Sequence, residues 1–133
     1  MKEVFGDTFY WIALTLPCDA GYKGAEQITN DIVTTDEVLT EYLNFFSGSP
    51  ELLRRRAAAN TDAILNDPSV RVIPQSRNSF LSGLELYRNR SDKGYSLTDC
   101  ISMETMRGQG LTDALTNDRH FEQEGFHAVL RDA

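Results

Sequence analysis

Cysteine is nearly absent from this chain: Cys18 and Cys100 are the two in 133 residues. Their separation matches neither a metal-knuckle spacing nor a C-x-x-C redox pair, so a disulfide framework and a thiolate metal site are both excluded. Both thiols are expected to be free and buried. Long apolar runs are missing as well, and nothing approaches the roughly 20 residues that span a bilayer. The opening M-K-E-V-F-G-D has no apolar stretch followed by a small-residue cleavage site. No membrane span or signal peptide is therefore expected, and the cytoplasm is the expected location. Positive charge is scarce, with 13 Lys and Arg against 20 Asp and Glu and a net charge of −7. That balance argues against indiscriminate binding to polyanions, because phosphate affinity rests largely on Lys and Arg. The two histidines, His120 and His127, have no paired Ser or Cys context and read as ordinary surface or half-buried residues.

What remains is an ordinary globular composition, 41% hydrophobic and 25% charged. One domain over residues 1–133 with one core is the expectation at this length. Residues 3–6 read as a short strand. Thr8 opens an apolar helix over 9–16 that Pro17 stops. A second helix is expected over 22–29, then a strand over 32–34. Thr35 is placed to cap a helix over 36–47. Its expected apolar face is Val38, Leu39, Tyr42, Leu43, Phe45 and Phe46, with Glu41 on the flank. Ser49 and Pro50 begin the next helix, running to about Asn66. A strand over 70–73, a helix over 80–88, a helix over 96–106, a strand over 111–116 and a last short helix with an apolar stretch follow. Strands and helices alternate, and each crossover is long enough for a parallel pair. The fold class is thus α/β: a three-layer α/β/α sandwich around a central, mostly parallel sheet.

Four carboxylates stand out against this frame. Asp7 (F-G-D-T-F-Y), Glu41 (L-T-E-Y-L), Asp99 (S-L-T-D-C-I-S-M) and Asp118 (L-T-N-D-R-H-F) each sit where an element turns or on an apolar edge. Burying a carboxylate is costly without a compensating partner. In parallel sheets, sites form outside the C-terminal strand edge, where Asp7 and Asp118 both fall. A cluster of Asp and Glu suits Mg²⁺ or Mn²⁺, which take oxygen ligands. Such ions orient and deprotonate water for in-line attack on a phosphodiester. For any one residue the alternative is structural: Asp7 and Asp118 as helix caps, Glu41 and Asp99 paired with arginines. Four acids converging on one predicted edge favour the metal. Among other side chains, the Arg54, Arg55 and Arg56 run reads as a solvated helix face. Tyr10, Trp11, Met103 and Met106 read as core. Arg119 is a candidate for phosphate contact or for bridging the carboxylates, with an ion pair as the alternative.

These segments, in this order, resemble a PIN domain, and nearly the whole chain resembles a VapC-type toxin ribonuclease of a toxin–antitoxin pair. The resemblance implies that Asp7, Glu41, Asp99 and Asp118 are the family's catalytic and metal-binding acidic quartet. It implies Mg²⁺, or Mn²⁺, as cofactor. Thr116 matches the polar residue usual two positions before the last Asp. Gly6 departs from the pattern, standing where an apolar residue is usual, at the expense of a core contact. Also implied are RNA as substrate, homodimerisation, and inhibition by a small antitoxin with a basic C-terminal arm. An acidic protein suits such a partner. The competing readings are a housekeeping PIN-type RNA-processing nuclease and a catalytically silent PIN-fold interaction module. A signalling receiver domain is disfavoured, since it needs an adjacent acidic pair after the first strand and a Lys before a late Pro.

Overall fold

The computed structural model describes residues 2–131. Along the chain the elements are β1 (Val4–Gly6), α1 (Thr8–Thr15), α2 (Tyr22–Glu26), β2 (Ile32–Thr35), α3 (Asp36–Phe45), α4 (Glu51–Asn66) and β3 (Val70–Ile73). Then come α5 (Arg77–Asn89), α6 (Leu97–Gln109), β4 (Asp113–Leu115), α7 (Arg119–Gln123) and β5 (His127–Ala128). The five strands form one sheet in the order β3-β2-β1-β4-β5. Every pair is parallel, with Phe5 opposite Val33 on one side and Ala114 on the other. All residues of β1 and β2 are buried although alternate side chains point to opposite faces. Both faces must therefore be covered, which is the three-layer arrangement.

Local sequence accounts for most boundaries. Thr35 caps α3 by accepting from the Val38 amide at 3.1 Å, a contact worth about 1 kcal/mol. α1 stops at Thr15, two residues before Pro17, which cannot continue the amide ladder. Gly110 ends α6 in the left-handed region, at φ 69°.

Several expectations shift. The helix expected over 80–88 begins at Arg77, because Ser76 and Ser79 form a reciprocal capping box ahead of its apolar face. α2 stops at Glu26, short of Thr29, and β4 keeps three residues of the six expected. Pro50 occupies the cap position of α4 itself, with no side-chain cap. On α3 only Val38, Leu39 and Tyr42 are buried within the helix, and Phe46 just beyond it. Leu43 and Phe45 turn outward, Phe45 being 56% exposed. Of the two free cysteines, Cys100 is buried and Cys18 is exposed, in the loop after Pro17.

Gly6 is a further correction. A Cβ built there would lie 2.9 Å from Ile32 Cγ2 and 3.1 Å from Trp11 Cζ2. The Trp11 ring occupies the space a larger residue would need, so no core contact is lost. The same indole N–H donates to Thr34 Oγ1 at 3.4 Å, and that hydroxyl donates to the Gly6 carbonyl at 2.7 Å. This small network ties the last turn of β1 to β2 immediately before Asp7.

Candidate metal centre

Strand order decides where a site forms. From β1 the chain moves through β2 to β3 on one side, then returns to β4 on the other side of β1. The C-terminal ends of β1 and β4 therefore flank the point where the connections diverge, and a crevice opens there. Asp7 follows β1 directly. Thr116, Asn117 and Asp118 follow β4, Asp99 lies in the first turn of α6, and Glu41 lies on α3.

Asp7 occupies the N-cap position of α1, yet its side chain makes no capping bond. It is 6% exposed. Burial drives its pKa from 3.8 to about 7 against hydrogen bonds from the Thr116 side chain and the Thr8 backbone, and the charges of Asp99 and Glu41 push the same way. Asp99 is also raised, chiefly by burial, with Asp118 and Glu41 adding repulsion and the Ser96 backbone opposing it. The four carboxylates thus feel one another electrostatically. Among the described residues, Asp7, Glu41 and Asp99 have no Lys or Arg within 4.0 Å.

The capping alternative holds in part. Asp118 accepts from the His120 amide at 2.8 Å and starts α7. Asp99 accepts from the Ser96 amide at 3.3 Å in a capping box. Each cap leaves carboxylate oxygen lone pairs for another partner. The other half of that alternative, Glu41 and Asp99 paired with arginines, is absent among the described residues. Thr116, fully buried, accepts from the Asp118 amide at 3.1 Å, and its side chain opposes the upward push of burial on the Asp7 pKa. Arg119 is exposed and reaches no carboxylate among the described residues, so it does not bridge the cluster. Arg54, Arg55 and Arg56 are exposed on α4.

His120, read from the sequence as ordinary, lies inside the site. Its Nδ1 is 3.5 Å from Asp118 Oδ1 and 3.7 Å from Asp99 Oδ2. Ligand atoms of Asp99, Asp118 and His120 all fall within 4.8 Å of one another. The local signal was the D-x-H spacing. An Asp that caps a helix with the amide two residues on brings that residue's side chain near its carboxylate.

A mutually repelling group of oxygen donors, Asp7 buried and Asp99, Asp118 and Glu41 half-buried, with no Lys or Arg paired to Asp7, Glu41 or Asp99 among the described residues, fits a hard divalent ion. The PIN domain family model matches residues 4–126. The chain belongs to the PIN domain family. Among solved structures this PIN domain is similar to Mycobacterium tuberculosis VapC20, a sarcin–ricin loop cleaving toxin. The two are 26% identical over 94% of this chain and 97% of that one, with a TM-score of 0.83. No curated protein matches the sequence. The PIN assignment makes the α/β sandwich a family feature. Next to the crevice this PIN domain has a groove of about 290 Å³ bordered by Glu41, Asn44, Phe80, Leu97 and Ile101.

Proposed function

We propose that this chain, as a single PIN domain, is a metal-dependent endoribonuclease that hydrolyses RNA phosphodiester bonds and serves as the toxin of a toxin–antitoxin pair. The observation that carries the reading is the carboxylate cluster, with Asp7 buried and no Lys or Arg paired to Asp7, Glu41 or Asp99 among the described residues, at the sheet edge of a PIN domain similar to VapC20. Asp7, Asp99 and Asp118, with Glu41, would hold Mg²⁺ or Mn²⁺. A bound ion supplies Lewis acidity, a more acidic water and neutralisation of the leaving oxygen.

The chain's own residues supply the rest. Thr116 anchors the backbone of Asp118 through its hydroxyl and lies beside Asp7. Arg119, exposed beside Asp118, is free to meet a substrate phosphate. The groove beside Glu41 gives a nucleic-acid strand a path to the carboxylates. An acidic crevice also suits the basic C-terminal arm of a small antitoxin. Exposed Leu43, Phe45, Leu52, Phe80 and Leu81 offer apolar area for that partner or for a second copy of the chain. Among the described residues no helix is long and apolar enough to cross a membrane. Location in the cytoplasm belongs to the same proposal.

The test is cleavage of total RNA and of a sarcin–ricin loop oligonucleotide by the purified protein with Mg²⁺ or Mn²⁺. Chelator and Asp99→Asn are the controls. Cutting that survives in both controls sinks the reading.

A further inference from the structure

Within the crevice, one group has no place in an all-carboxylate site. The Nδ1 atom of His120 is sealed from solvent and has no hydrogen-bond partner, although it faces Asp118 at 3.5 Å and Asp99 at 3.7 Å. A buried ring nitrogen left unsatisfied is costly, and native structures rarely keep one without a reason. Its position is held from two sides. The His120 amide is bonded to Asp118 Oδ1, and the ring lies against Tyr95 with centroids 5.2 Å apart. Tyr95 in turn donates from its hydroxyl to Glu124 at 3.0 Å. Glu124 is clamped by Arg90 at 2.9 and 3.0 Å and by Arg107. The imidazole is therefore built into position.

We propose that His120 is a nitrogen ligand of this metal centre, closing a set with Asp99 and Asp118 that favours a first-row transition-series ion such as Mn²⁺ over Mg²⁺. The inference rests on the metal-site reading above and specifies its donor set. Octahedral ligation at about 2.1 Å places neighbouring donor atoms about 3 Å apart and opposite ones about 4 Å apart. The observed separations of 3.5 and 3.7 Å lie between these values. Mg²⁺ takes oxygen donors and dehydrates reluctantly, whereas transition-series ions accept imidazole readily. A carboxylate-only quartet would not discriminate in this way. The simpler role, a counter-charge to the two acids, needs no metal–nitrogen bond and separates cleanly in the test.

The first measurement is pulsed electron paramagnetic resonance on Mn²⁺ bound to the full chain, which reads a directly bound nitrogen without any enzymatic assay. Nuclear modulation from ¹⁴N is expected in the wild type and absent in His120→Gln. Titration calorimetry should show Mn²⁺ affinity falling at least about tenfold in His120→Gln, the lower end of what loss of even an outer-shell partner costs. Mg²⁺ affinity should hardly change. Bound Mn²⁺ with no nitrogen modulation in the wild type overturns the proposal while leaving the carboxylate site standing. Mn²⁺ binding undiminished by Asp99→Asn and Asp118→Asn overturns the metal centre itself. The wild-type spectrum decides the matter even where His120→Gln folds poorly.

Discussion

Asp7 and Glu124 are both nearly buried, Asp7 being 6% exposed and the Glu124 side chain 5%. They answer that burial in opposite ways. Burial raises Glu124 too, but hydrogen bonds from Arg90, Arg107 and Tyr95 outweigh it and the net pKa is lowered. Asp7 has no cation beside it among the described residues, while burial and the charges of Asp99 and Glu41 outweigh what Thr116 and Thr8 contribute, and its pKa rises to about 7. Asp7 lies deep among protein atoms and Glu124 nearer the surface, so the greater desolvation of Asp7 and its lack of a cationic partner together set the opposite sign. Glu124 is a finished structural unit that joins α5, α6 and the end of α7. The crevice is unfinished as protein alone, and this separates a stability element from a functional site.

Four experiments press on this contrast. The largest effect is expected from Asp99→Asn, which should lower RNA cleavage by roughly 10³-fold, the several kcal/mol a metal contributes to transition-state charge at 1.36 kcal/mol per tenfold. Its metal-free melting temperature should equal or exceed that of the wild type, since the change relieves repulsion. A lower one would mean that the crevice is as structurally complete as the Glu124 clamp.

Next comes pH. The folded pKa of Asp7 is above its unfolded value, so stability is greatest where the group is protonated in both states. It is lost as pH rises from about 4, because the unfolded chain ionises first, and the loss is complete once pH passes about 7. The rise from 3.8 to about 7 corresponds to about 4 kcal/mol. Asp99 works in the same direction. Glu124 works oppositely: its lowered pKa stabilises above the unfolded value and that contribution fades as pH falls through the folded value. Urea unfolding of chelator-treated protein from about pH 5 to pH 8 should show a falling profile that Asp7→Asn flattens. Parallel profiles for the two proteins would contradict the assigned environment of Asp7.

Glu124→Gln should destabilise the protein by about 1–3 kcal/mol, towards the low end because both guanidiniums reach solvent. Chemical denaturation checks this, and an unchanged midpoint would deny the clamp its structural role. The smallest effect belongs to Tyr95→Phe. It keeps the ring against His120 and removes one donor to Glu124, for a cost of about 0.5–1.5 kcal/mol. Mn²⁺ affinity should be nearly unchanged, measured by calorimetry on the same sample.

Much of this was legible in the chain. Thr35 and Pro17 mark helix limits by local chemistry, and β1 and β2 read as short strands, their burial on both faces emerging only in the fold. Asp7, Glu41, Asp99 and Asp118 drew attention because a carboxylate beside apolar residues is costly wherever the chain goes. Other features were hidden because they depend on neighbours distant in sequence. The outward turn of Phe45 reflects which stripe of α3 meets the core. The fit of Gly6 depends on Trp11 and Ile32 meeting over its Cα. His120 carried only a weak local signal, and Glu124 none, since its partners lie 34, 29 and 17 residues away.

The sequence by itself determined the alternation of elements, the helix caps and the presence of costly acids at element ends. These follow from backbone preference and solvation, which act over a few residues. Only the tertiary structure decided the strand order that sets β4 beside β1, which turns the shared edge expected for Asp7 and Asp118 into one crevice. It also decided that Glu124 meets two arginines while Asp7 meets none. Electrostatic energy depends on distance in space, and that distance is set by packing the helices on both faces of the sheet.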